Sequence, residues 1–511
     1  MGKPVDSILI AGSGFAAWAS AAMLARATAG RVALRVAADR PDADTRIEEL
    51  MGSCRPAVAA AHYGLDIDES GFMRATGATF KLATVFQDFR APGESYLHAF
   101  GDIGARLDSV AFHQLLNRAR LAHEPIPRPD QCSLAAVAAR AGRFTHPAAD
   151  NRSVTSTYDY AYQFDVAAAT AYFRALAERQ GVRMLAGHIR DVGVGADGFL
   201  QSVTLEGGER VTAQLFLDCS GAHSRLLGQA LGVPFDSWSR WLPCDRVVHL
   251  RTARAGDPPP ATLARACAVG WQLQLPLQSQ DVHALFYASA HCTDEAAARE
   301  LGKSLGLVPD ALPASATLAS GRRRKFWVGN CMAIGAAGGV VDPLASTSVQ
   351  LIYNAIARLT SLLPQQDCAA GLVGEYERLT TLEYERALEF AALPYCTSLR
   401  VDSPFWRACR AMSPPPILDY RLKLFRRGGR LAAFDDELFE ESDWVSVLLG
   451  QGVWPALPDP LTLSLDAAQL ASQTRRMAEI MRQAAEAMPT HQRYLEQLGI
   501  SGGSAPRTGS A

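Results

Sequence analysis

The first half of the chain alternates short apolar runs with amphipathic or Ala-rich segments. Apolar residues over 6–11 predict a strand, and an Ala- and Leu-rich run ending at Ala27 predicts the helix that follows it. A second strand is predicted over 31–38. Later segments have the same character and predict a helix ending at Gln180 and strands over 183–194, 200–205, 215–224 and 326–334. This order indicates an α/β core with an inserted sheet.

Beyond residue 350 the apolar positions recur with helical spacing. Proline-rich turns at 413–416 and 456–460 separate the periodic segments. The pattern predicts helices over 349–363, 375–390, 405–412 and 466–487. We therefore expect an α/β domain over 1–350, a helical lobe over 351–500 that covers it, and a disordered tail over 501–511.

A lysine lies in the middle of an otherwise apolar and β-branched run. The residues that follow Gly77, over 78–89, predict a strand, and alternation places Lys81 on the same face as Thr79 and Ala83. A solvated strand lysine is the ordinary interpretation, because lysine is rarely buried. The small neighbours nevertheless leave room beside the ammonium for a ligand.

Composition narrows the class of protein. The 511 residues are 48% hydrophobic and 20% charged, which is typical of a folded chain long enough for more than one domain. A net charge of −2 gives no reason to expect nucleic acid. We find no cleavable leader and no apolar segment of about 20 residues, so we expect a cytoplasmic protein without a membrane segment. The ten cysteines lack C-x-x-C spacing, so we expect buried thiols and no metal site.

The first strand runs into a glycine-rich turn. Gly12, Gly14 and Ala17 have Gly-x-Gly-x-x-Ala spacing between a strand and a helix, which is the context of a dinucleotide-binding turn. A merely tight turn is the alternative. The second strand ends near Asp39, a poorly placed candidate for the ribose-binding acid.

A second glycine-rich loop precedes the helix that begins near Val349. Glycines at 335–339 allow close backbone approach, and Ser346, Thr347 or Ser348 can cap the helix. The amides at its start then point toward an anion. An ordinary capped helix is an equally good interpretation of this loop.

Several separated stretches, taken in order, resemble the flavin-dependent tryptophan-halogenase family. They are GSGFAAW, FMRATGATFKL, YAYQFD, LFLDCSG, WLPCDR, GWQLQLP, GNCMAIG, DPLASTSVQLI, EYER and DSPFWR. The resemblance implies a two-dinucleotide-binding-type FAD domain with an inserted β-sheet, and a C-terminal helical lobe over the substrate site. It also implies cofactor-binding roles for Gly12, Gly14, Ala16, Ala17, Trp18, Asp218, Gly221, Gly335 and Gly339.

The same resemblance implies the chemistry. A halogenase of this type uses FADH2, O2 and bromide or chloride to form hypohalous acid, which reaches Lys81 as a hydrogen-bonded acid or forms a haloamine there. Ser346 is implied as a second catalytic residue, and the backbone of Thr347 and Ser348 as the halide site. Because the chain has no second nicotinamide-type turn, we expect a separate NAD(P)H-dependent flavin reductase. A homodimer is possible.

Departures from the family pattern bear on the substrate. Leu273 replaces a tryptophan, Ala345 replaces the acid proposed to take the ring proton, and Glu440 replaces a tryptophan that sandwiches free tryptophan. No counterpart of the Gly-Glu-Ala-Thr-x-Pro segment is recognisable where IEELMGSCRP stands. We therefore expect an electron-rich aromatic substrate of the indole or phenol type, and not free tryptophan.

The resemblance implies four substrate-side residues: His98, Phe100, Trp271 and Pro276. An imidazole and a phenyl face suit a flat ring, although a hydrogen-bonded loop histidine is an equally good interpretation of His98. Two other functions stay open at this point. One is a flavin-dependent aromatic monooxygenase that hydroxylates, and the other is a non-catalytic flavin-binding or partner-binding protein.

Overall fold

A large mixed sheet forms the centre of the computed structural model, which describes residues 3–38, 52–307, 313, 315–432, 434 and 437–500. Five neighbouring strands of this sheet are parallel, and antiparallel strands complete both edges. Their spatial order is β18 (Trp327–Val328), β19 (Cys331–Ala333), β10 (Leu215–Asp218), β1 (Ser7–Ala11), β2 (Ala33–Ala38), β7 (Arg183–Val194), β8 (Leu200–Leu205) and β9 (Arg210–Thr212).

A second sheet carries His98, Trp271 and Pro276, three of the four residues predicted to lie on the substrate side. It is antiparallel except where β4 pairs with β13 in parallel. Its order is β16 (Ser315–Thr317), β12 (Arg246–Ala253), β15 (Gln280–Tyr287), β14 (Gly270–Pro276), β13 (Ala261–Cys267), β4 (Ala83–Gln87) and β5 (Ser95–Ala99). Smaller pairings join β3 (Thr79–Lys81) to β6 (Ala161–Gln163), and β11 (Phe235–Ser237), β17 (Gly321–Arg323) and β20 (Gly339–Val340) to one another. The expected α/β fold with an inserted sheet is therefore confirmed.

In the described part of the chain, seven α-helices lie among the strands. They are α1 (Phe15–Thr28), α2 (Pro56–Gly64), α3 (Glu69–Thr76), α4 (Phe112–Leu121), α5 (Leu134–Arg140), α6 (Val166–Arg179) and α7 (Asp294–Ser304). Almost every residue of α1 is buried, because α1 packs between β2, α6 and the later helix that begins at Ser348. This burial explains why its sequence is rich in alanine and lacks an obvious polar face.

The last part of the described chain is helical. It contains α8 (Ser348–Ser361), α9 (Ala370–Cys396), α10 (Pro404–Ala411), α11 (Pro416–Gly428), α12 (Glu441–Gly450), α13 (Ala467–Ala487) and α14 (His491–Gln497). The helices predicted at 349–363, 405–412 and 466–487 agree with α8, α10 and α13. Helix α9 is longer than predicted, and α11, α12 and α14 were not predicted. The boundary at residue 350 stays a prediction, and the tail over 501–511 lies outside the described residues.

Two predicted strands are divided in the structure. The strand expected over 78–89 is broken at Leu82, where β3 pairs with β6 and β4 turns into the second sheet. The strand expected over 326–334 is the tight hairpin β18–β19, turned by Gly329 at φ +56°. In both cases the apolar pattern continues through the break because both pieces are buried, so the pattern alone could not show it.

Candidate functional site

The turn after β1 brings three backbone segments together. Gly12 has φ +122°, and a Cβ on it would lie 2.2 Å from the carbonyl oxygen of Cys219. Gly335 has φ +70°, and a Cβ there would lie 2.8 Å from the Cβ of Ala16. Only glycine fits at these two positions. The turn, the loop after β10 and the loop after β19 therefore meet at the start of α1.

The start of α1 suits a dinucleotide pyrophosphate. Gly14 precedes the helix in an extended conformation, and no described side chain caps the first amides. Uncapped amides at a buried helix start are donors for an anion. Ala16, Ala17 and Trp18 are buried on this helix, while Gly335, Gly339 and Ser348 line one small apolar cavity together with Phe15. Asp39, the candidate ribose acid, lies outside the described residues.

Asp218 has an internal role. Its carboxylate accepts hydrogen bonds from the Ser224 hydroxyl at 2.9 Å, and from the amides of Leu226 and Leu227 at 2.9 and 2.8 Å. The Ser220 hydroxyl donates to its other oxygen at 2.5 Å. Asp218 is fully buried and orders the loop in which Gly221 has φ +88°. A direct contact of Asp218 with a cofactor stays a prediction.

Lys81 lies at the end of β3 and is fully buried, so the ordinary interpretation of a solvated lysine is wrong. Its ammonium donates to the hydroxyls of Ser53 at 2.9 Å and Ser346 at 3.0 Å, and to the carbonyl of Cys54 at 3.3 Å. The Nζ atom is also 5.2 Å from the centre of the Phe100 ring. Lys81 therefore contacts three parts of the chain. They are the 52–55 segment, the loop before α8, and Phe100 directly after β5.

Burial lowers the pKa of Lys81 to about 7, and the nearby Arg55 guanidinium acts in the same direction. The ammonium and the neutral amine therefore both exist near neutral pH. Hydroxyl groups accept from the ammonium without adding a counter-charge, so they orient Lys81 and leave its pKa low. Such a lysine can act as a hydrogen-bond donor or as a nucleophile.

A directional hydrogen-bond chain leads away from Lys81. Thr262 donates to the Gln163 side-chain oxygen at 2.7 Å, so at the 2.9 Å contact between Ser53 and Thr262 the Ser53 hydroxyl is the donor. Ser53 thus accepts from Lys81 and donates to Thr262. This fixes the Ser53 hydroxyl as an acceptor for the ammonium.

A buried ion pair lies beside Lys81 and was not predicted from the sequence. Arg55 Nη2 is 2.7 Å from Asp443 Oδ2, and His98 Nε2 is 2.7 Å from Asp443 Oδ1. The two partners hold the pKa of Asp443 well below its usual range despite burial, and burial lowers the pKa of His98. Because an ionised carboxylate only accepts, neutral His98 donates through Nε2. The only sequence feature that points to this ion pair is the position of Arg55 directly before Pro56, the first residue of α2.

Aromatic rings surround this pair. The Arg55 guanidinium carbon lies 4.3 Å from the Phe439 ring centre and 6.0 Å from that of Phe100. Phe439 stacks on Phe390 at 3.8 Å, and Trp444 meets Phe390 edge to face. His98 lies on β5 and not in a loop, 5.9 Å from Phe100. Aromatic rings therefore pack around the Arg55–Asp443 pair, and the Phe100 ring lies near both Arg55 and Lys81.

Trp271 and Pro276 lie in strand β14. Trp271 is fully buried and stacks on Phe286 at 4.4 Å, and the Pro276 carbonyl accepts from the Thr79 hydroxyl at 2.7 Å. Both support the sheet beneath β3. Direct contact of either residue with a substrate stays a prediction.

The loop before α8 differs from the sequence expectation in one respect. Helix α8 begins at Ser348 without a side-chain cap, so the expected capping by Ser346, Thr347 or Ser348 is not made. Ser346, at φ +55°, turns its hydroxyl to Lys81 instead. The buried Thr347 hydroxyl has no partner in the described structure. The first amides of α8 are therefore free of both a cap and intrahelical partners.

Two neighbouring cavities reach this region. One of about 340 Å³ is lined in part by Gln114, Phe439 and Trp444, and one of about 390 Å³ is lined in part by Asp102. Glu440 and Glu441 line both. Glu440 is exposed and directly precedes α12, and its side chain supplies no aromatic face.

The described residues contain neither a metal-ligand cluster nor a helix long and apolar enough to cross a membrane. All ten cysteines are described, all are free thiols, and seven are buried.

The comparisons with known proteins identify the family of this chain. The model of the tryptophan halogenase family matches residues 7–467. Tryptophan 6-halogenase SttH from Streptomyces toxytricini is 27% identical, over 97% of this chain and 98% of its own length. Tryptophan 7-halogenase RebH from Lentzea aerocolonigenes is 27% identical, over 90% of this chain and 92% of its own.

Solved structures show the same relationship. BrvH, a flavin-dependent halogenase from Brevundimonas sp. BAL3, is 33% identical with a TM-score of 0.90, covering 97% of this chain and 99% of that one. A flavin-dependent halogenase from Xanthomonas campestris is 30% identical with the same TM-score and the same coverage of both chains. The chain therefore belongs to the tryptophan halogenase family and is a flavin-dependent halogenase.

Proposed function

We propose that this protein uses FADH2, O2 and bromide or chloride to halogenate an electron-rich aromatic compound of the indole or phenol type, through hypohalous acid held at Lys81. The observation that carries the proposal is the fully buried Lys81, which three oxygen acceptors orient beside the Phe100 ring. Family membership already implies FAD, a halide, an aromatic substrate and a separate flavin reductase.

The glycine turn at Gly12 and the uncapped start of α1 fit the FAD pyrophosphate, because their backbone can approach an anion closely. Bound reduced FAD, together with O2, supplies the oxidising power that converts the halide to hypohalous acid. The amides of Thr347 and Ser348 hold the halide in this proposal. This assignment of the halide site is supported by the start of α8, where no described side chain caps the first amides.

Lys81 acts on the hypohalous acid. In the hydrogen-bonded version, its ammonium donates to the oxygen and polarises the oxygen–halogen bond, so that the ring carbon attacks the halogen. The new carbon–halogen bond forms as the oxygen–halogen bond breaks, and the oxygen leaves as water after taking a proton. In the haloamine version, the neutral amine attacks the halogen first, and the hydroxide that leaves takes up an amine proton to become water. The ring carbon then takes the halogen from nitrogen, which regains a proton as the nitrogen–halogen bond breaks. A pKa of about 7 permits both.

The ring proton must leave after the attack. Ala345 is buried beside Ser346 and has no group that can accept a proton. His98 is neutral and donates Nε2–H to Asp443, so only Nδ1 can accept. We assign proton removal to His98 Nδ1 or to solvent. Electron-rich rings need little help at this step.

The aromatic residues near Lys81 favour a flat substrate without an amino-acid clamp. Phe100 supplies a ring face, but Phe439 is covered by Phe390 and Arg55, and Glu440 stands where a second sandwiching ring is expected. Without a clamp, the most nucleophilic carbon of the ring should react. Free tryptophan should therefore be a poor substrate.

The test is a reaction with FAD, NADH, a flavin reductase and a panel of indoles and phenols, with and without bromide, analysed by mass spectrometry. We expect brominated products that require bromide and disappear with Lys81→Met. Oxygenated products that form without halide would instead identify a hydroxylase. An absence of any product across the panel would favour a non-catalytic flavin-binding protein.

A further inference from the structure

Arg55 is a buried cation with unused donors. Its side chain is 7% exposed, and only Nη2 is paired, with Asp443 at 2.7 Å. Nε and Nη1 are buried and have no hydrogen-bond partner in the described structure. Leaving donors of a charged group unpaired in a protein interior is costly, so such donors point to a missing acceptor.

The charges around Arg55 favour an anionic acceptor. Asp443 balances Arg55, His98 is neutral, and Lys81 adds a positive charge whenever it is protonated. Glu440, Asp159 and Asp102 also lie near this set, and all three are exposed to solvent. The buried set therefore has an excess positive charge below the pKa of Lys81, and a bound anion would neutralise it.

The position of Arg55 identifies the ligand as part of the substrate. Its guanidinium lies over Phe439, which also lines the 340 Å³ cavity, and it faces Phe100 from farther away. The Lys81 ammonium donates to Ser53, Cys54 and Ser346, so its hydrogen bonds are directed toward the loop before α8. A ring bound against Phe100 would thus lie near both Arg55 and Lys81.

We propose that Arg55 binds the oxygen of a phenolic substrate and holds it as the phenolate, so that the preferred substrates carry a ring hydroxyl. This inference rests on the proposed halogenation. The fixed cation stabilises the phenolate, and the phenol proton leaves to solvent. A phenolate ring is more nucleophilic than the phenol, and its ortho and para carbons are the most reactive. Arg55 thereby selects the substrate and the carbon that reacts.

The direct test needs no turnover. Para-nitrophenol is bound to the FAD-loaded protein and titrated, and the visible absorbance of its phenolate gives the pKa of the bound ligand. We expect the wild type to lower that pKa by about one unit, which corresponds to roughly a tenfold preference for the phenolate. Arg55→Met should abolish the shift. An unshifted pKa in the wild type, or an equal shift in Arg55→Met, would overturn the proposal.

Two further variants control for stability. Arg55→Lys keeps a cation beside Asp443 but loses the planar guanidinium group. It should therefore keep only part of the shift in the pKa of bound para-nitrophenol. Arg358→Met removes another largely buried arginine, paired with Glu383 at 3.2 Å in the helical part, and should leave the shift unchanged. If Arg55→Met does not fold, the wild type still decides the question, because an unshifted pKa of the bound nitrophenol overturns the proposal without any variant.

Turnover separates this inference from the proposed function. For a naphthol and its methyl ether, the ratio of kcat/KM values should favour the naphthol in the wild type and fall at least tenfold in Arg55→Met. Indole, which lacks the hydroxyl, reports on halogenation itself. Halogenated indole with no preference for the naphthol rejects the Arg55 role alone. No halogenation of any compound rejects the proposed function, while the nitrophenol titration still tests Arg55.

Discussion

The Ser346 hydroxyl accepts a hydrogen bond from the Lys81 ammonium at 3.0 Å, although the two residues are 265 positions apart. Ser346 reaches this position because its backbone is left-handed, at φ +55°, immediately before α8. The bond links the lysine to the loop whose amides are proposed to hold the halide. The lysine and the proposed halide site are therefore parts of one rigid arrangement.

Removing this acceptor should shift the pH dependence of the reaction. Ser346→Ala deletes a hydrogen bond to the charged form of Lys81, so the pKa of Lys81 should fall below its present value of about 7. Hydrogen bonds to charged groups are worth about 1.5–3 kcal/mol, which suggests a shift on the order of one unit. The pH profile of kcat/KM measures it. The helical Ser361→Ala, whose residue is exposed, serves as the control, and an unmoved inflection in Ser346→Ala would contradict the coupling.

Replacing Lys81 should separate chemistry from cofactor binding. We expect Lys81→Met to abolish halogenation and to leave FAD affinity nearly unchanged, because Lys81 lies outside the glycine turn. Gly14→Val should do the reverse, since a side chain would keep the backbone from the pyrophosphate. Flavin fluorescence quenching and product analysis give the two quantities. Appreciable halogenation by Lys81→Met would refute its assigned role.

The halide site can be tested without disturbing the backbone. Thr347→Val removes a buried hydroxyl that has no partner in the described structure, and it keeps the amide. We expect the apparent KM for bromide to change by less than about threefold, with no loss of thermal stability. A large increase in that KM would show that the hydroxyl, and not the amide, holds the halide.

The ion pair between Arg55 and Asp443 should contribute strongly to stability. Asp443→Ala leaves Arg55 buried without its counter-charge, at a cost of roughly 3–5 kcal/mol. Because the pKa of Asp443 is depressed, this stabilisation is present above its usual pKa and is lost as the pH falls through the lower folded value. Chemical denaturation at neutral and acidic pH measures both effects. Asp419→Ala, at an exposed pair with Lys423, should cost less than about 1 kcal/mol.

Substrate binding should depend on the Phe100 ring. Phe100→Leu keeps an apolar side chain but removes the ring face, which should weaken binding of an indole or phenol by about 0.5–1.5 kcal/mol. The substrate KM measures the loss, and circular dichroism checks the fold. Free tryptophan should turn over slowly or not at all. Efficient halogenation of tryptophan at one benzo carbon would require a clamp and would overturn this view of the pocket.

The local sequence determined the parts that depend on short-range rules. Glycine at 12 and 14, followed by small residues, can only form a tight strand-to-helix turn, and the apolar runs predicted most strands of the large sheet. The order of motifs also identified Lys81, Ser346 and Phe100, which the structure brings together. These features follow from steric limits on the backbone and from periodic burial.

The tertiary structure alone decided the electrostatics of the site. Arg55 and Asp443 are 388 residues apart, and no periodic pattern distinguishes a buried ion pair from surface charges. The break at Leu82 was also invisible, because both strands around it are buried. Whether Lys81 is solvated or buried depends on three segments that are distant in sequence, which contribute Ser53, Phe100 and Ser346. Burial and charge pairing are sums over such segments, so the chain had to fold before the pKa of Lys81 could fall to about 7.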